Sequence, residues 1–201
     1  MEWTDKFMKW LKEGKEDGEK LLDMPWDISV KEGSKENVIT ATHPKIPLPL
    51  KIYVSKYFAN LYMDPGVPTD TMSVEERMRA YKKLLYMNAD LNLMKTSLVG
   101  VEQRVVLMVD LDLVCLNKSE FNDALAALSL GVRRVIDAFD LEEELSVQMF
   151  DRAVEMVCEK IKSKESKEDI VDFLVDRVGM NEEYTDEFMK NVMDAMKEYN
   201  N

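Results

Sequence analysis

An α+β protein with a helical appendage is the fold class this sequence predicts, and three observations predict it. Apolar residues alternate with polar ones in two blocks, 26–63 and 92–115, as one-sided strands require. Apolar residues at helical spacing precede, separate and follow those blocks. Charge then shifts near residue 141. Residues 142–201 hold 17 Asp/Glu against 8 Lys/Arg, a net of −9, whereas residues 1–141 hold 22 against 19, a net of −3. The expected organisation is an α+β domain over 1–141 and an acidic, all-helical C-terminal appendage over 142–201. The domain should hold an antiparallel sheet of about five strands with helices packed on it, in the order α-β-β-β-α-β-β-α.

The elements follow in turn. Trp3, Phe7, Trp10, Leu11, Leu21 and Leu22 recur at helical spacing, with Gly14 and Gly18 weakening the middle of that helix, and Pro25 ends it. Trp26, Ile28 and Val30 alternate with polar residues in a first strand. Glu32 to Asn37 reads as a hairpin turn, and the β-branched Val38–Thr42 as the return strand. Even positions from Ile46 to Val54 are apolar, and Pro47 and Pro49 mark a sheet edge or an irregular entry. That apolar text runs on through Tyr57, Phe58, Leu61, Tyr62 and Met63 to the turn-forming Asp64–Pro68.

Ser73-Val74-Glu75-Glu76 is a capping box, and its helix runs to about Asn88, with Val74, Met78, Tyr81, Leu84, Leu85 and Met87 on one broad face. Arg77, Arg79, Lys82 and Lys83 make it locally basic. Asn92–Val101 and Val105–Cys115 are two more strands, turned at Gly100–Gln103. Ser119 then caps a helix striped by Phe121, Leu125, Leu128, Val132, Val135, Ile136 and Phe139. The appendage reads as three helices, Leu145–Ile161, Ser166–Val178 and Thr185–Tyr199, with Gly179 as a C-cap. Each has an apolar face, so the segment packs rather than trailing as a solvated tail.

Composition narrows the function classes. The 201 residues carry 27 Lys/Arg against 39 Asp/Glu, a net charge of −12. Phosphate and anionic lipid are gripped by clustered positive charge, so neither nucleic acid nor a membrane surface is expected as a partner. Two cysteines and one histidine are too few for a Cys/His zinc cluster, and no glycine-rich phosphate loop occurs. Cys115 and Cys158 read as buried free thiols. No run reaches about 18 apolar residues, and the first residues lack a signal-peptide pattern, so a cytoplasmic location is expected. Asp110 and Asp112 share one strand face about 7 Å apart. A solvated strand face explains them, and a metal or acid/base pair, perhaps assisted by His43, is the alternative. His43 itself reads as a solvent-exposed turn residue. Fifteen methionines stand out. Most fill core; the rest suit a surface that accepts a peptide. Met78, Tyr81, Leu85, Met94 and Met108 are the candidate partner-binding residues.

Three stretches carry a family likeness: Lys51-Ile52-Tyr53-Val54, Tyr81-Lys82-Lys83-Leu84-Leu85-Tyr86-Met87-Asn88, and Val105–Val109 preceding Phe121–Phe139. With the element order, they resemble the type III secretion chaperone-like fold, including YbjN-like proteins, over about 70% of the chain. The resemblance implies a homodimer that binds an extended segment of a partner protein through apolar patches and strand addition, with no cofactor and no covalent chemistry. The leading expectation is therefore a non-catalytic protein-binding module. The alternatives are a small-ligand or metal-binding enzyme using Asp110 and Asp112, and a regulatory or structural protein acting through its acidic helices.

Overall fold

Alternating apolar residues build a six-stranded antiparallel sheet in the computed structural model, which describes residues 2–14, 20–29 and 38–199. The chain divides into two units, 1–142 and 143–201. The first is mixed α+β, and the second is helical. In the first, α1 (Trp3–Lys12) precedes β1 (Asp27–Ser29), β2 (Val38–His43), β3 (Ile46–Val54) and β4 (Phe58–Met63). Then come α2 (Val74–Asp90), β5 (Lys95–Val99), β6 (Arg104–Asp112) and α3 (Lys118–Phe139). The strand order is β1-β2-β3-β4-β6-β5, so β1 and β5 are the edges.

Six strands rather than five result from a turn the sequence hides. The stretch 46–63 is a hairpin, not one strand: Ser55 closes it by accepting from the Phe58 amide and donating to the Phe58 carbonyl. No glycine, proline or asparagine announces that turn. The expected turn at Glu32–Asn37 lies outside the described residues, as does Gly18. Pro47 and Pro49 sit in an interior strand after all. However, β4 pairs only with residues 51–54 of β3, and the β2 register shifts between Ala41 and His43, so the proline end is flanked on one side.

One sheet face is the core. Ile39, Ala41, Leu50, Ile52, Ala59, Leu61, Leu107 and Val109 are buried there. α3 covers them with Phe121, Leu125, Leu128, Val132 and Val135. Gly131 lets that helix come close: a Cβ there would stand 2.8 Å from Leu107 Cδ2 and 2.8 Å from Met94 Cε. The cap of α3 is Asn117, two residues before the expected Ser119; Asn117 and Glu120 form a reciprocal capping box. α1 ends at Lys12, before Leu21 and Leu22, and docks through Phe7, whose ring lies 4.9 Å from that of Phe121. Gly14 follows where the chain doubles back, and a Cβ on it would fall 2.1 Å from the Met24 carbonyl carbon.

Among the described residues of the first unit, the three helices pack on that one face and not on the opposite one. Register places Ser29, Thr40, Lys51, Tyr62, Met108 and Lys95 side by side across all six strands.

The second unit holds α4 (Glu142–Lys162), α5 (Lys167–Asp172) running into a π-helical turn (Phe173–Val178), and α6 (Glu182–Tyr199). Ser166 caps α5, and Gly179, at φ 81°, ends the π turn in the left-handed conformation that glycine adopts without strain. Ala153, Val157, Ile170, Phe173, Leu174, Phe188, Met189 and Val192 form a core of its own. Among the described residues no helix is long and apolar enough to cross a membrane.

Candidate docking surface on helix α2 and strand β5

Helix α2 begins at a reciprocal capping box: Ser73 Oγ accepts from the Glu76 amide, and Glu76 accepts from the Ser73 amide. Hydrogen bonding of its carboxylate with the Ser73 side chain, and then with the Ser73 amide, holds the Glu76 pKa below the usual carboxylate value. Only Ala80 and Leu84 are buried on this 17-residue helix. At about 100° per residue, Val74, Met78, Tyr81 and Leu85 fall within about 60° of arc. Val74 is 76% exposed, Met78 64% and Leu85 68%. The helix thus turns a narrow apolar stripe to solvent, a feature that marks interaction sites when contiguous.

Tyr81 anchors the middle of the stripe. It is half-buried, and its hydroxyl donates to Gln103 Oε1 at 2.6 Å and lies 3.1 Å from Thr69 Oγ1. About two helical turns further along α2, Asn88 ties the helix to the edge strand. Its Oδ1 accepts from the Thr96 amide at 2.6 Å, and its Nδ2 donates to the Thr96 carbonyl at 3.2 Å. An amide side chain thereby completes both main-chain groups of Thr96 on the sheet's open edge, one of the ways proteins blunt an edge. Backbone groups alternate in direction along a strand, so within β5 the next outward-facing pair belongs to Leu98. Leu98 is 38% exposed, shares its strand face with Thr96, and lies between the Tyr81 and Asn88 attachments.

The five expected partner-binding residues therefore separate. Met78, Tyr81 and Leu85 share the stripe. Met94 does not belong with them: it is 3% exposed and wedged beneath α3 beside Gly131, so it is core. Its side chain follows a turn in which Leu93 adopts φ 68°, and the strand starts only at Lys95. Met108 is half-buried on the sheet face opposite α2, paired across from Tyr62 and Lys95. Val74, Leu98 and Asn88 adjoin the same surface and were not among the expected residues. The phrase Leu84-Leu85-x-x-Asn88 was the available signal: one leucine in, one out, and the asparagine back to the strand.

The other chemical candidates resolve into structure. Asp110 is ion-paired with Lys95 and accepts from Asn60 Nδ2 at 2.6 Å. Burial pushes its carboxyl upward, but the hydrogen bonds from Lys95 and Asn60 outweigh that and leave its pKa below the ordinary value. The same neighbourhood raises Tyr62, first by desolvation and then by the Asp110 charge. Asp112 accepts from the Val114 amide at 2.9 Å. Among the described residues no three His, Cys, Asp or Glu side chains converge on a metal position. His43 is fully buried, not solvent-exposed: its ring lies 5.0 Å from that of Trp26, and its Nδ1 accepts from the Lys45 amide. Cys115 is exposed rather than buried, because β6 ends at Asp112 and the chain turns; Cys158 is half-buried.

The helical unit carries an apolar cleft of about 450 Å³, lined by Phe150, Val154, Met180, Tyr184, Phe188 and Val192 among others. Phe150 is 55% exposed and Tyr184 64%. The Phe150 ring stands edge-on to that of Phe188 at 5.4 Å.

No curated protein matches the chain. Residues 140–201, the helical unit with its connection, match the family model HTH_78, described as a domain of unknown function. Residues 6–139, well over half of the chain, match the model of DUF8183, also a domain of unknown function, and the chain belongs to that family.

Proposed function

We propose that this protein is a non-catalytic protein-binding module, akin to the secretion-chaperone-like and YbjN-like proteins its element order resembles, and that it acts as a homodimer. The partner protein contributes a segment that lies along the α2 stripe. One observation carries this reading: three large apolar side chains, Val74, Met78 and Leu85, each more than 60% exposed, share one narrow helix face. Exposed contiguous apolar surface on a highly charged protein marks an interaction site. The Asn88 peg leaves Leu98 as the outward-facing hydrogen-bonding position within β5, so helix-face packing contributes more here than strand addition.

A second reading attaches to the helical unit, since the initials in the name of its family model denote a helix–turn–helix, an arrangement many nucleic-acid binders use. The exposed side of α6 presents Glu182, Glu183, Asp186 and Glu187. Carboxylates there repel phosphate, which favours a protein surface over nucleic acid.

Photo-crosslinking tests the leading reading. A photoreactive residue is placed at position 78 or 85 of the full chain, with position 101 as control, because Val101 is 93% exposed and off the stripe. Polypeptide adducts are expected from 78 and 85, absent from 101, and lost from 85 when Met78→Glu is also present. Equal adduct yields at all three positions, or none, overturn the proposal.

A further inference from the structure

Among the described residues, two apolar surfaces of this chain lack a cover within their own units, and the segments that carry them differ in charge. The α2 stripe is flanked by Arg79 and Lys82, with no acidic residue between Arg77 and Lys83. Arg77 is occupied by the Asp70 and Met72 carbonyls, and Lys83 by the Ala138 carbonyl, so Arg79 and Lys82 are the cations that flank a docked partner. The cleft of the helical unit lies in the acidic part of the chain. Glu187 stands in its lining, and residues 142–201, which carry it, hold 17 Asp/Glu against 8 Lys/Arg.

The shapes also correspond. The stripe is a ridge of Met78, Tyr81 and Leu85 at the i, i+3, i+7 spacing by which a helix seats in a groove. The cleft lies against α4 and α6, holds about 450 Å³ and offers Phe150 and Tyr184 as exposed aromatic walls. Aromatic anchors surrounded by complementary charge are what concentrate binding energy and orient the partner.

The geometry points to a reciprocal contact between two copies: the α2 stripe of one chain seats in the α4/α6 cleft of a second copy, and the same contact forms in the other direction. This rests on the docking reading of α2 and names its occupant. Twofold reciprocity closes the assembly at two chains, because each copy then uses both of its surfaces.

Light scattering during size-exclusion chromatography of the full chain tests it, at low and high salt. The wild type is expected to elute at the mass of two chains, with Kd rising at least tenfold between 50 and 500 mM NaCl. Leu85→Glu and Phe150→Glu each alter an exposed side chain, so circular dichroism should show both folded, and each alone should elute as one chain. An equimolar mixture of the two variants should recover a two-chain species, since one intact stripe then meets one intact cleft. A monomeric wild type, or a mixture of variants that stays monomeric, overturns the inference. The docking reading fails separately, by absence of position-specific adducts from residues 78 and 85. Adducts to polypeptides other than this chain, with a monomeric wild type, leave that reading standing and remove this one.

Discussion

Helices α2 and α3 start alike and end up in different roles. Both open on reciprocal capping boxes, Ser73 with Glu76 and Asn117 with Glu120. Both carry apolar residues at helical spacing. Yet α3 buries seven residues along its 22, whereas α2 buries two along its 17. The difference lies in what each meets. α3 has Gly131 at its midpoint, which brings its backbone down onto β6, and its apolar side chains are consumed by the sheet. α2 packs with small Ala80 and with Leu84, and is held beside the edge strand by polar bonds from Tyr81 and Asn88. A helix fixed by hydrogen bonds keeps its large apolar residues available; a helix fixed by apolar packing does not. That contrast separates a helix spent on the fold from one that leaves an apolar face in solvent.

Substitutions can break or sharpen the contrast. Phe121→Ala should cost most, about 3–5 kcal/mol, because a fully buried ring touching Phe7 and Trp10 is replaced by a cavity; urea unfolding of the first unit reads it. Gly131→Leu should cost about 1–3 kcal/mol by lifting α3 off Leu107 and Met94, with the midpoint lowered at unchanged slope. If that variant unfolds like the wild type, α3 does not owe its burial to the glycine. Asn88→Ala should cost about 1–2 kcal/mol, since it strips Thr96 of two main-chain partners, and it should raise self-association through the opened β5 edge. Hydrogen exchange at the Thr96 amide should accelerate while the Leu107 amide stays protected. Met78→Glu and Leu85→Glu should each change unfolding free energy by less than about 0.5 kcal/mol, as exposed sites do. A large loss of stability at either would place the stripe inside the fold and end its role as a docking face.

Sequence patterning made the sheet, the three principal helices of the first unit and the separate helical unit legible, because burial on one face writes itself as period 2 or period 3.6. It could not separate Leu84 from Leu85 as inside and outside, since both lie within one apolar arc and only the third dimension supplies a partner for one of them. Met94 and Met78 likewise look the same in a chain and differ completely in exposure. The Ser55 turn leaves no mark in the sequence because its closure depends on a single hydroxyl beside bulky residues that suit strands. His43 looked exposed because it precedes a proline. Its burial depends on Trp26, 17 positions earlier, folding across it.

The placement of the indole rings has an experimental consequence. Trp3 and Trp10 cluster with Phe7, and Trp26 is buried against His43, so all three tryptophans of the chain lie in the first unit, at the end where α1 docks. Intrinsic tryptophan fluorescence therefore reports on indoles of the first unit, and the helical unit contributes none. Far-ultraviolet ellipticity at 222 nm responds to both. Recording the two signals through one thermal ramp would separate the unfolding of the two units without cutting the chain or attaching a dye.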